Sequence, residues 1–143
     1  MDAVVQAELD KQSYTSSEWR LSADKHLSVA ELLAASMRPI PTEVIALHCQ
    51  QAVEKYLKGA LVILGIDIPN GYDLDVLCSM AEKCRPSFVS ISTLFTIITQ
   101  FSVQYYYNVK LCLSEDDMNI VLTHTHTIKE FLKKEVPELF EGL

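Results

Sequence analysis

Residues 42–65 read TEVIALHCQQAVEKYLKGALVILG, and this stretch decides the fold. Apolar residues recur at Ile45, Cys49, Ala52, Val53, Tyr56, Leu57, Ala60, Ile63 and Leu64. At about 100° per residue they cover roughly half of a helix circumference. Thr42 follows Pro39-Ile40-Pro41, where a hydroxyl can accept from an orphan backbone donor of the first turn. Gly65 stands where a helix commonly closes through a left-handed residue. One stripe stays polar, formed by His48, Gln51, Lys55 and Lys58. A helix this apolar has neighbours on several sides, so it is expected at the centre of the core.

The rest of the chain supplies those neighbours. A polar arm, Met1–Tyr14, precedes a helix that begins at Thr15, with Glu18 three residues on to complete a capping box. Its apolar residues run from Trp19 through Leu27 to Ala34, and Met37-Arg38-Pro39 breaks it. After the turn-rich Gly65–Gly71, a short helix over about Tyr72–Cys84 gathers Leu74, Leu77, Met80 and Ala81. From Pro86 to Val109 there is no charge, a length that could span a bilayer. Serines, threonines and glutamines interrupt it, however, and Ile91, Leu94, Phe95, Ile98, Phe101, Tyr105 and Val109 recur at helical spacing. The reading is an amphipathic helix with an uncharged outer face, left to solvent or covered by a dimer partner. Ser114 followed by Glu115-Asp116-Asp117 caps a last helix that ends at Pro137. No segment alternates as a half-buried strand does. The expected fold is all-α, an up-and-down bundle of about five helices over residues 15–137, with 138–143 as a C-terminal tail.

Composition narrows the function classes. The 143 residues carry 49% apolar and 22% charged side chains, the balance of one globular domain. A net charge of −7 repels phosphate backbones, so non-specific nucleic-acid binding is not expected. Cys49, Cys78, Cys84 and Cys112 form no Cys-x-x-Cys pair, and the expectation is buried free thiols. Met1–Asp10 is mixed and acidic rather than a signal segment, so a cytoplasmic protein is expected, without membrane insertion. His124 and His126 are two apart, pointing about 200° away from each other on a helix, so they cannot chelate one ion. Neither a metal nor a cofactor is expected.

At this point the order of elements and one motif resemble a known family. Ala46, Gln50, Gln51, Ala52, Glu54, Lys55, Lys58, Ala60 and Leu61 fit, in register, the second helix of the HEPN (higher eukaryotes and prokaryotes nucleotide-binding) domain family. Tyr72-Asp73-Leu74 and Leu77 resemble its next signature, with Tyr where the family has His. The resemblance implies a helical bundle that dimerises. Members act as metal-independent ribonucleases, often toxins in toxin–antitoxin pairs, accompany a minimal nucleotidyltransferase, or bind nucleotide-like ligands. The ribonucleases carry Arg, four to six residues, then His between the last two long helices, where Arg holds phosphate and His moves a proton. Here that region reads Tyr105-Tyr106-Tyr107-Asn108-Val109-Lys110-Leu111-Cys112-Leu113, lacking both groups. Arg20 and His26 have the spacing but lie on the first helix, as an exposed Arg and a partly exposed His.

Two candidate binding sets follow. Tyr105, Tyr106, Asn108 and Lys110 offer hydroxyls, rings, an amide and an ammonium to a base or a partner side chain, or else fill the bundle end. His48, Gln51 and Lys55 offer a small anion-recognising strip, or else an ordinary solvated face with Glu54 and Lys58 paired. The expected function is a non-catalytic, dimeric module binding a partner protein or a nucleotide-type ligand. The alternative is a divergent ribonuclease, or one subunit of a two-component nucleotidyltransferase.

Overall fold

A computed structural model describes residues 14–68 and 73–141. Among the described residues, five α-helices make up the bundle: α1 (Ser16–Ser36), α2 (Thr42–Ile63), α3 (Leu74–Cys84), α4 (Ser92–Tyr106) and α5 (Glu115–Glu135). Two 3-10 turns, Pro86–Ile91 and Pro137–Phe140, complete it, and no strand occurs among the described residues. The fold is all-α, as the periodicity requires.

Helix α2 is the axis. Eleven of its 22 residues are buried, and α1, α4 and α5 all pack on it. The α1 face against it is small, Ala23, Leu27 and Ala30, which lets the two backbones come close. Gly59 is closely packed as well: a Cβ there would stand 3.2 Å from Trp19 Cβ of α1 and 2.6 Å from Leu139 Cδ1 of the second 3-10 turn. Phe88 of the first 3-10 turn, Phe95 and Ile98 of α4, and Ile128 and Leu132 of α5 close the core around α2.

The helix ends follow local chemistry. Thr15 Oγ1 accepts from Glu18 N at 3.1 Å, while Glu18 Oε1 accepts from Thr15 N at 2.9 Å, so the capping box of α1 forms. Asp73 and Ser114 cap α3 and α5 by accepting from Val76 N and Asp117 N. Gly65, at φ +74°, lets its own N–H reach Val62 O and that of Ile66 reach Leu61 O, the paired closing bonds of α2.

Four expectations are corrected. Thr42 does not cap α2: it is the first helical residue, and its buried hydroxyl instead donates to Leu113 O at 2.8 Å. Pro41 precedes it with no side-chain acceptor to offer, and the first turn begins one residue early. The uncharged stretch is not one α-helix to Val109. Pro86 starts a 3-10 turn, α4 spans Ser92–Tyr106, and Val109 is 98% exposed because the chain has left the helix at Tyr107. Only Cys49 and Cys78 are buried; Cys84 ends α3 and Cys112 lies in a loop, both exposed. Burial pushes the Cys49 and Cys78 thiols up to about 12, which makes them inert packing groups. Arg20, finally, is largely buried rather than exposed. The expected α3 start near Tyr72 falls at Leu74; Tyr72 itself and most of the arm lie outside the described residues.

Pro86–Tyr106 is, among the described residues, the stretch long and apolar enough to cross a membrane, with a mean hydropathy of 1.3. It divides into the 3-10 turn and α4, and Phe88, Ile91, Phe95, Ile98 and Ser102 enter the bundle core.

Candidate functional site

Segment 105–113 turns the chain from α4 into α5. Tyr105 is half-buried, its ring 6.3 Å from Phe101. Tyr106 meets Tyr107 edge-to-face at 5.0 Å, and both are exposed, Tyr107 by 73%. Asn108 organises the turn: its Oδ1 accepts from Lys110 N at 3.1 Å, and its carbonyl accepts from Leu111 N at 3.0 Å. Lys110 itself is exposed. Beyond the turn, Leu113 N donates to Glu43 Oε1 at 3.0 Å, and Leu113 O accepts from Thr42. The loop is therefore tied at its far end to the start of α2, and between these anchors Tyr107, Val109 and Leu111 face outward. Burial alone would raise the Glu43 carboxyl, but hydrogen bonds, led by the one from Leu113 N, outweigh it and hold it below the usual carboxylate range.

The α2 strip is a network rather than a row of free groups. Lys55 Nζ donates to Gln51 Oε1 at 2.6 Å and sits 2.9 Å from Glu54 Oε2. Lys58 lies 3.9 Å from Glu54 Oε1 and 5.1 Å from the centre of the Trp19 ring. His48 faces α1, where its Nδ1 is 3.0 Å from His26 Nδ1. Burial lowers the His26 imidazole first, with the Lys55 charge and His48 adding to it and Glu54 opposing. Among the described residues no hydrogen bond, ion pair or ring contact joins this strip to Tyr105–Lys110.

Arg20 and His26 turn to different sides of α1. Arg20 Nε is 3.5 Å from Asp24 Oδ2, and its guanidinium lies 5.9 Å from the Phe140 ring centre. Asp24 also accepts from the buried Tyr56 hydroxyl, and Lys129 of α5 stands 3.7 Å from it. Burial, then the bond to Asp24, pushes the Tyr56 phenol far up, so it stays a donor. This Arg20–Asp24–Tyr56–Lys129 cluster was not legible in the sequence, since it joins three helices. The only sequence signal was a tyrosine on the apolar face of α2, which needs a buried partner. His126 pairs with Glu31 at 2.9 Å, and no group of three or more His, Cys, Asp or Glu suited to a metal occurs among the described residues. Across an open cleft of about 260 Å³ between α3 and α4, Thr96 Oγ1 donates to Asp75 Oδ1 at 2.8 Å.

Compared with known families, residues 16–136 match the model of the HEPN domain. The chain belongs to the HEPN family. Searches of curated proteins and of solved structures found no match. In this HEPN domain the Gln50–Lys55 run acquires a structural account. Gln50 Oε1 accepts from Ser102 Oγ of α4 at 3.2 Å, Ala52 is fully buried on α2, and Gln51 and Glu54 hold Lys55 between them. The run thus ties α2 to one neighbour, gives close contact in the core and builds a polar network at its outer edge.

Proposed function

We propose that this HEPN chain is a non-catalytic cytoplasmic module that works as a homodimer. In this reading it docks a partner protein or a nucleotide-type ligand at the segment carrying Tyr105, Tyr106, Asn108 and Lys110. The single observation that carries the proposal is an anchored loop whose large side chains are turned out: Tyr107 is 73% and Val109 98% exposed. A loop fixed at Asn108, Thr42 and Glu43 presents these groups with little ordering left to do on binding. Exposed tyrosines beside an ammonium suit a base with its phosphate, or an aromatic and acidic partner surface. A non-catalytic role rests on positions 105–113, which supply neither Arg nor His. A minimal nucleotidyltransferase is one partner of the class proposed, within a toxin–antitoxin or nucleotidyltransferase-associated system.

A specific observation favours a second reading, the divergent ribonuclease. His26, His48 and Lys55 are drawn together on the α1–α2 face, two imidazoles and a nearby cation of the kind phosphodiester cleavage uses. The two readings separate cleanly. The purified protein is expected to leave RNA intact, and titration with nucleoside monophosphate is expected to perturb Tyr106 and Tyr107 NMR signals, an effect lost in Lys110→Ala. RNA cleavage abolished by His48→Ala would establish the second reading instead.

A further inference from the structure

The contact between His26 of α1 and His48 of α2 has its own chemistry. The two Nδ1 atoms are 3.0 Å apart and the ring centres 5.2 Å apart, close to the greatest separation that two imidazoles joined through these nitrogens can have. Both nitrogens therefore lie close to the line joining the rings. An N–H on one ring and a lone pair on the other point straight at each other, which is hydrogen-bond geometry. A chelated ion would need both lone pairs to converge on a third point, whereas here the two nitrogens face each other.

A neutral pair bonded this way has fixed tautomers. One histidine carries its proton on Nδ1 and leaves Nε2 bare; the other accepts at Nδ1 and carries its proton on Nε2. A first added proton goes to the bare Nε2 and leaves the Nδ1–H···Nδ1 bond intact, now charge-assisted. A second proton has only the accepting Nδ1 to occupy, so it breaks the bond and sets two cations face to face.

We propose that His26 and His48 form one shared proton-binding site that clasps α1 to α2 through the first protonation and releases the clasp at the second. The proposal stands apart from where a ligand docks. Burial of His26 and the Lys55 charge make it the reluctant partner, which assigns it the accepting Nδ1 and gives His48 the donor role. The surroundings leave few other charges to act. Lys55 and Glu54 of α2 are the charged groups that bear on His26, and α4 contains none. On the other side of α1, Asp24 and Glu31 are engaged with Lys129 and His126 of α5. A histidine held below its ordinary value contributes stability that is full above about pH 6.5. That contribution is lost as the pH falls through this value toward the lower folded one.

The test is NMR of the histidine ring nitrogens in the full chain, followed from about pH 8 to about pH 4.5, the range of imidazole titration. At neutral pH His48 is expected as the Nδ1–H tautomer and His26 as the Nε2–H tautomer. The second proton should bind at least ~10-fold more weakly than the first. Amide exchange in α1 around His26 should rise with the second proton and not the first. In His26→Phe, His48 should revert to the usual Nε2–H tautomer of a lone imidazole; His26→Leu, which likewise offers no acceptor, serves if that variant does not fold. Two independent single-site titrations in the wild type would overturn the proposal, as would a His48 tautomer unmoved by either substitution. So would stoichiometric zinc uptake at neutral pH that displaces the Nδ1 proton, which would assign the pair to a metal.

Discussion

Two buried residues of α2, Gly59 and Tyr56, show how much hangs on single positions. Gly59 sits inside the helix, a turn before its end, where alanine is normally favoured by about 1 kcal/mol. Its Cβ would meet Leu139 Cδ1 at 2.6 Å and Trp19 Cβ at 3.2 Å. The leucine methyl is itself in the core, and a Trp Cβ cannot move without its backbone. Overpacking of this kind costs roughly 1–3 kcal/mol, so Gly59→Ala is expected to lower stability in urea by about 1 kcal/mol net. Equal or greater stability than wild type would show that Leu139 yields freely. Tyr56 tests the neighbouring cluster. Tyr56→Phe removes only the hydroxyl bonded to Asp24 and is expected to cost about 1.5–3 kcal/mol, the range for a hydrogen bond to a charged group. Neither effect can be read from the residue alone. Gly59 in a sequence reads as a weak point of a helix, and its packing role exists only because Leu139 returns to that spot.

At the scale of elements, the helices were legible and their joints less so. Thr15 with Glu18, Ser114 with Asp117, and Gly65 are local signals, each acting within a few residues, and each sits where its chemistry requires. Thr42 misled because its hydroxyl had two possible uses, a local cap and a distant acceptor, and the distant Leu113 carbonyl took it. The same joint yields a pH prediction. The Glu43 carboxyl is held below its ordinary value mainly by the bond from Leu113 N, set against the opposing effect of burial. Its contribution is therefore present above about pH 4.5 and lost as the pH falls through that value toward the lower folded one. Glu43→Gln keeps an amide oxygen for Leu113 N and removes the titration. The acid limb of its stability curve, measured by urea unfolding, should be flatter than that of the wild type; identical limbs would remove Glu43 from the account. The candidate site was partly legible. The aromatic composition of 105–107 was plain, but which rings face outward depended on where α4 stops, and Val109 was misplaced for that reason.

For the whole molecule, the outer face of α4 is the feature that bears on assembly. It is uncharged along its length, with Val103 42% exposed and the exposed Tyr107 just beyond its end. In a chain of net charge −7, an uncharged face is where two like-charged copies can approach at least electrostatic cost. Static light scattering at tens of micromolar is therefore expected to give a dimer mass, and Val103→Glu to shift it toward monomer. A wild-type monomer at that concentration would refute the homodimer.

The sequence by itself determined the helices, most of their caps and the family, because these depend on relations between residues three and four apart. The stretch 42–65 announced itself as the centre of an all-α bundle, and its Gln50–Lys55 run marked the HEPN domain. Tertiary structure alone decided which polar side chains of that helix meet partners far away along the chain. Tyr56 finds Asp24, Gln50 finds Ser102, and His48 finds His26 across 22 positions of sequence. Such partners depend on how one helix slides and turns on another, and that register is set by core packing rather than by neighbours along the chain.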